Sequence, residues 1–158
     1  MKKTISIIIS IAMCAMLASC GGVKNEVSDT EQPTLIDTMS LEEKVGQILF
    51  VRCVEDGQTD DLMSIKPGGI LMFGRDFEGL TKDEVKEKIQ SYQDKSDIPL
   101  IIGADEEGGT VVRVSSNPNL APEKFKSPQE IYNEGGMDAV VENATEKSEL
   151  LLSLRVNM

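Results

Sequence analysis

The sequence predicts an α/β fold built around a parallel sheet. Three short apolar runs, at 48–51, 70–73 and 100–104, each lead into polar or charged residues. Segments with helix-capping signals lie between these runs and after the last one. A strand–helix–strand order implies parallel strands joined by right-handed crossovers. We therefore expect about three βα units, followed by the start of a fourth strand.

The first unit opens with a capping box, in which Ser40 is the N-cap and Glu43 lies three residues on. This predicts a short helix that ends at about Gly46 or Gln47. The apolar run 48–51 follows as the first buried strand, and residues 58–64 are expected to form a second short helix.

The second strand is predicted at 70–73, with a polar loop at 74–76. Thr81 and Glu84 form another capping box, so a helix is expected to begin there and to end near residue 96.

The third strand ends in the most informative stretch of the chain. Residues 100–104 are apolar, and they are followed at once by Asp105, Glu106 and Glu107 and then by two glycines. Ligands of α/β proteins gather at the carboxyl ends of parallel strands. The loop from 106 to 126 is also long, as functional loops often are.

The last segment begins at Ser127, an N-cap with a proline after it. Gly135 and Gly136 are expected to stop this helix, and a final helix is predicted over 138–154. Residues 155–158 are then expected to enter another strand.

The carboxylates at the third strand end suggest two chemistries. On an extended strand, Asp105 and Glu107 would share one face about 6.6 Å apart, near the separation of about 6.5–9.5 Å in inverting glycosidases. We exclude that pair, because neighbours on one strand project in parallel and cannot flank a scissile bond. We expect instead that Asp105 accepts hydrogen bonds from a polar ligand, that Glu106 or Glu107 holds the loop, and that Arg113 returns to the same mouth as a donor. From these residues alone, a solvated acidic loop is equally acceptable.

Composition excludes several functional classes. The 158 residues carry a formal charge of −11, and residues 20–158 hold 14 basic and 27 acidic side chains, which gives −13. Such an acidic body argues against nucleic-acid binding. The sequence contains no histidine, which excludes Ser-His-Asp and Cys-His nucleophile systems within it. No metal site and no cofactor are predicted.

The N-terminus has the proportions of an export signal. Two lysines precede an apolar run at 5–17, which is too short for a comfortable transmembrane helix. The run ends in a Leu-Ala-Ser-Cys sequence at Cys20 that resembles the lipobox of bacterial lipoproteins, in which the cysteine is lipidated. We therefore predict a lipoprotein signal peptide at 1–19, a lipidated tether at 20–34, and an exported bacterial lipoprotein anchored to the outer face of the cell membrane. A plain secreted protein is the alternative. Cys53, in an apolar run, is expected to be a buried and inert thiol.

Three blocks of the sequence resemble one family, in that family's order. Met39–Gln47, Gly68–Arg75, and Ile98–Gly109 with Arg113 are similar to the N-terminal domain of glycoside hydrolase family 3. The nearest likeness is to its β-N-acetylhexosaminidase branch, whose members act on N-acetylglucosamine linkages in cell-wall fragments. The likeness covers residues 35–158.

This resemblance implies that 35–158 is the N-terminal portion of a TIM-type (β/α)8 barrel. It also implies retaining hydrolysis through a covalent glycosyl-aspartate, with Asp105 and Arg113 as substrate-binding residues. The sequence departs from the family at Thr110, where arginine is usual, and at Val112, where glutamine is common.

The resemblance also implies catalytic groups that these 158 residues lack. A Lys-His pair, a His-Asp acid/base dyad and the nucleophilic aspartate all follow downstream in the family. We therefore assign no catalytic residue, expect the chain alone to be inactive, and interpret it as a truncated reading frame or partial gene model. The alternatives are a non-catalytic sugar-binding or vestigial lipoprotein, an unfolded remnant, and a β-glucosidase of the same family. The expected partners are a carbohydrate substrate and, through the lipid, the membrane. Neither nucleic acid nor a protein partner is expected.

Overall fold

A computed structural model of the protein describes residues 34–55 and 57–158. The predicted signal peptide, Cys20 and almost all of the tether lie outside these residues. Leu35–Met158 forms one compact unit. Within the described ranges, no helix has both the length and the apolar character needed to cross a bilayer.

The centre of the unit is a three-stranded parallel sheet. Its strands are β1 (Phe50–Arg52), β2 (Gly69–Met72) and β3 (Ile101–Ala104), in the order β1-β2-β3. Ile70 pairs with Val51 on one side and with Ile102 on the other. The predicted α/β class and the parallel pairing are confirmed. The carboxyl ends of all three strands therefore lie on the same side of the sheet, which we call the strand-end edge.

Helices connect the strands and cover one face of the sheet. They are α1 (Leu35–Thr38), α2 (Leu41–Gln47), α3 (Thr59–Ser64), α4 (Gly74–Phe77), α5 (Lys82–Gln93) and α6 (Pro128–Ser153). The side chains of Ser40, Thr81 and Ser127 each accept a hydrogen bond from the backbone N–H three residues further along. The capping boxes expected at Ser40 and Thr81 are confirmed. The N-cap expected at Ser127 is confirmed as well.

Two local predictions were wrong. Residues 74–76 are not a polar loop, because the Asp76 carboxylate accepts a hydrogen bond from the Phe73 N–H at 2.8 Å and closes the turn α4. The first strand does not begin at Ile48, because the N–H of Ile48 bonds back to the Val45 carbonyl and extends the end of α2. The strand therefore starts two residues later, at Phe50.

The end of the chain agrees with the expected break in the helix. Gly136 lies inside α6 with φ 67° and ψ −157°, a conformation that interrupts the helical path and that non-glycine residues avoid. Beyond α6, Asn157 and Met158 donate backbone hydrogen bonds to the Ile102 carbonyl at 2.8 and 3.0 Å. Residues 155–158 thus pair with β3, although they do not form a regular strand.

The two faces of the sheet differ in their cover. Ile70, Met72 and Ile102 point to the helical layer and are fully buried. On the other face the Phe50 ring lies over Gly69 and Gly103, where an added Cβ would come within 2.5 Å of a ring carbon. Phe50 remains 41% exposed. The packed core therefore supports the strands from one side and leaves the strand-end edge accessible.

Candidate sugar-binding site at the strand ends

Asp105 and Arg113 come together at the carboxyl end of β3. Asp105 directly follows Ala104, the last residue of the strand, and Arg113 returns to it at the end of a tight loop. One Nη of Arg113 lies 3.7 Å from one Oδ of Asp105, with side-chain exposures of 27% and 46%. At this distance the two side chains form an ion pair but no hydrogen bond. Both groups can therefore still form hydrogen bonds with a ligand.

Glu106 is the residue that holds this loop. Its carboxylate is buried, and one oxygen accepts the backbone N–H groups of Arg113 and Val114 at 2.6 Å each. The other oxygen accepts the Ser115 N–H at 3.3 Å and the Ser115 hydroxyl. A carboxylate bound by several N–H groups fixes the backbone in one position. The expectation that Glu106 or Glu107 holds the loop is thus resolved in favour of Glu106.

The extended-strand geometry assumed for Asp105 and Glu107 is wrong. The regular strand ends at Ala104, because the next residues turn to bring the loop back rather than continue the pairing. Gly108 and Gly109 make that turn with φ of 100° and 66°, in the region that glycine alone adopts freely. Asp105 and Glu107 therefore do not lie on one face of a regular strand. This is a second reason to exclude them as the acid and base of an inverting glycosidase.

Lys147 fastens the same turn from the last helix. Its Nζ donates a hydrogen bond to the Glu107 carbonyl at 2.6 Å. Burial lowers the pKa of the Lys147 ammonium, and the nearby carboxylates of Glu106 and Glu107 oppose that shift. The acidic loop is thus tied to α6 as well as to the strand.

Asn117 fastens the far end of the loop to the connection that follows β2. Its buried amide donates to the carbonyls of Phe77 and Leu80 at 2.6 and 2.8 Å, and its oxygen accepts the Asn119 N–H at 3.0 Å. All donors and acceptors of this side chain point to backbone. The loop is consequently an ordered support for Arg113.

Two further residues complete the strand-end edge. Phe73, immediately after β2, lies with its ring centroid 5.8 Å from the Arg113 guanidinium and 4.4 Å from that of Arg52, the last residue of β1. Among the described residues, the buried Nε of Arg113 has no hydrogen-bond partner. The sequence interpretation missed Arg52 and Phe73, although each stands at the end of an apolar run, which was the available signal.

The sequence model of one protein family, the glycosyl hydrolase family 3 N-terminal domain, matches residues 40–148 of this chain. The chain belongs to glycosyl hydrolase family 3. Membership associates this family 3 chain with glycoside hydrolysis in general, and the matched span contains both Asp105 and Arg113. A comparison with curated proteins gave no match.

The two side chains at the end of β3 offer complementary hydrogen-bonding groups. A carboxylate accepts hydrogen bonds from hydroxyl groups, whereas a guanidinium donates several in one plane. Asp105 and Arg113 present one of each at an accessible edge, on a loop that Glu106, Lys147 and Asn117 hold in place. Cys20, the predicted lipidation site, lies outside the described residues.

Proposed function

We propose that this chain positions a sugar for the hydrolysis of a β-glycosidic bond, with Asp105 and Arg113 as the residues that bind it. The observation that carries this proposal is their pairing at 3.7 Å at the end of β3, within a span that matches the family 3 domain. The Asp105 carboxylate would accept hydrogen bonds from ring hydroxyls, and the Arg113 guanidinium would donate to neighbouring oxygens.

The sugar we favour is a terminal N-acetylhexosamine. The support is the likeness of Ile98–Gly109 to the β-N-acetylhexosaminidase branch of the family, in which hydrolysis retains configuration through a covalent intermediate. None of the described side chains is assigned as nucleophile or as acid/base. We therefore propose that residues 1–158 supply substrate positioning and do not hydrolyse the bond by themselves.

The surroundings of the site extend this proposal. The parallel order β1-β2-β3, with Asn157 and Met158 pairing beside β3, supports an N-terminal portion of a TIM-type barrel over residues 35–158. The lipobox-like sequence at Cys20 supports lipidation after removal of residues 1–19. The site would then face the extracytoplasmic side, tethered by residues 20–34.

Sugar binding by site variants tests the proposal. The purified chain is titrated with N-acetylglucosamine and, separately, with glucose, and binding is followed by ligand-observed NMR. We expect N-acetylglucosamine to bind more tightly than glucose, and Asp105→Asn to weaken its binding by about 10-fold or more, since hydrogen bonds to charged groups contribute about 1.5–3 kcal/mol. Arg113→Lys should also weaken binding, because lysine lacks the planar fork.

Asp97→Asn provides the matched control, because it removes the same charge from a side chain that is 90% exposed and lies before β3. It should bind like the wild type. Equal binding by the wild type and Asp105→Asn would contradict the proposed site. A preference for glucose would instead favour a β-glucosidase, and release of 4-nitrophenol from 4-nitrophenyl N-acetyl-β-glucosaminide would show that the chain is catalytic alone.

A further inference from the structure

Arg52 is an exposed cation at the strand-end edge that has no carboxylate partner among the described residues. Its guanidinium lies 4.4 Å from the Phe73 ring centroid, and within the described part of the chain it makes no hydrogen bond and no ion pair. A cation–π contact does not use the N–H donors of a guanidinium as hydrogen bonds do, so the five donors of Arg52 are available to a ligand.

The neighbouring cations are compensated, which sets Arg52 apart. Arg75 lies 3.5 Å from a Glu55 carboxylate oxygen and donates to the Cys53 carbonyl at 3.2 Å. Lys88 lies 3.6 Å from Asp76. Among the described residues, no carboxylate pairs with the exposed Arg52.

Arg113 places a second positive charge near the same ring. Its guanidinium lies 5.8 Å from the Phe73 centroid, so two guanidinium groups lie around one ring. Among the described residues, Asp105 is the carboxylate that pairs with Arg113. An anion bound beside this ring would lie near both positive charges and would engage the donors of Arg52.

The spacing of the strands indicates which part of a ligand this anion would be. Arg52 is level with Leu71 and, across the sheet, with Gly103. Asp105 therefore lies two strand spacings of about 4.8 Å across from Arg52 and about 6.6 Å further along the strand direction. The long Arg52 side chain can cover part of this interval, and a sugar ring with a substituent can cover the rest. A sugar whose hydroxyls bind Asp105 can therefore extend a charged substituent toward Arg52.

We propose that Arg52, with Phe73 and Arg113, forms a carboxylate subsite, so that the preferred ligand is an acidic amino sugar. This inference rests on the proposed sugar-binding function of Asp105 and Arg113, and adds a charge requirement to it. The carboxylate would lie beside the guanidinium of Arg52 as a charge-assisted, bidentate partner.

A set of three matched ligands tests the subsite. They are N-acetylglucosamine, the same sugar with a carboxylate at C6, and the methyl ester of that acid, which has the added bulk without the charge. We expect the wild-type chain to bind the acid about 10-fold more tightly than the other two. In Arg52→Gln that preference should disappear, while binding of N-acetylglucosamine stays the same.

Arg75→Gln is the control, because it removes the same charge from a neighbouring arginine that already has partners. It should keep the preference for the acid. A wild-type chain that binds N-acetylglucosamine and its acid equally would overturn the carboxylate subsite and leave the proposed function standing. An equal loss of preference in Arg52→Gln and Arg75→Gln would show that the total positive charge of this region attracts the acid. That result would also overturn the carboxylate subsite. If none of the three sugars binds, the proposed function and this inference fail together.

Discussion

At the scale of single residues, the site depends on a buried carboxylate that does not face the ligand. Glu106 accepts three backbone N–H groups and one hydroxyl, and these bonds set the path of the chain that carries Arg113. Its neighbour Glu107 has an exposed side chain, and its backbone carbonyl accepts the hydrogen bond from Lys147. The buried Glu106 carboxylate therefore fixes the loop, whereas the exposed Glu107 carboxylate does not.

This difference predicts the effect of substitution. Glu106→Gln should lower the free energy of unfolding by about 1.5–3 kcal/mol, because its amide group presents N–H donors where N–H donors already converge. Glu107→Gln is the control and should change stability by less than about 0.5 kcal/mol. Urea unfolding of both variants measures the two values. Similar losses in both would mean that the Glu106 network does not hold the loop.

At the scale of secondary-structure elements, local signals predicted most of the fold. The two capping boxes and the Ser127 cap, the apolar runs and the break at Gly136 each lie within a few neighbouring residues, so the sequence shows them directly. The wrong boundary at Ile48 arose because a helix C-terminus and a strand both accept an apolar residue. Which one takes it depends on whether the Ile48 N–H reaches the Val45 carbonyl.

The candidate site was less predictable than the elements. Asp105 and Arg113 lie eight positions apart on one loop, and a family motif links them. Arg52, Phe73 and Arg113 meet only because β1, β2 and β3 end at the same edge. The ends of the apolar runs mark these positions, but a local pattern does not show that side chains from two other segments meet the Phe73 ring.

The capping box at Thr81 gives a prediction for α5. Its hydroxyl accepts the Glu84 N–H, while the Glu84 carboxylate accepts the Thr81 N–H at 2.7 Å. The hydrogen bonds that the Thr81 N–H and hydroxyl donate to the Glu84 carboxylate lower the pKa of that group. Thr81→Ala should lower the free energy of unfolding by about 1 kcal/mol, as measured by urea unfolding.

A second threonine serves as the control for the cap. Thr145 is exposed in the interior of α6, where its hydroxyl bonds only to the Val141 carbonyl of the preceding turn. Because alanine is the better helix former, Thr145→Ala should not destabilise the chain. A loss in Thr145→Ala equal to that in Thr81→Ala would mean that the capping bonds contribute nothing beyond the side chain itself.

At the scale of the whole molecule, a buried hydrogen bond links the end of β1 to the helical layer. The Cys53 Sγ and the Tyr92 hydroxyl oxygen are 2.9 Å apart, and both side chains are almost fully buried. Burial raises the pKa of the Cys53 thiol above its ordinary value of 9.0, and burial is likewise the main reason that the pKa of Tyr92 is raised. The prediction that Cys53 is a buried thiol is confirmed.

These shifts make global stability sensitive to alkaline pH. The folded state retains both protons at pH values where the unfolded chain releases them, so the unfolded state binds fewer protons and stability falls as pH rises. The loss should begin near pH 9, the ordinary pKa of a cysteine thiol, and continue upward through the ordinary pKa of tyrosine near 10. Each retained proton contributes a slope of up to about 1.4 kcal/mol per pH unit.

Tyr92→Phe separates this effect from general alkaline unfolding. The variant keeps the ring in the core but has no proton to retain, so its free energy of unfolding should fall less steeply above about pH 10. Tyr132→Phe removes the same hydroxyl from a side chain that is 57% exposed, and it should keep the wild-type slope. Denaturant unfolding at a series of alkaline pH values gives the three slopes. If all three agree, the buried Cys53–Tyr92 pair does not govern the stability of the molecule at high pH, and other titrating groups must do so.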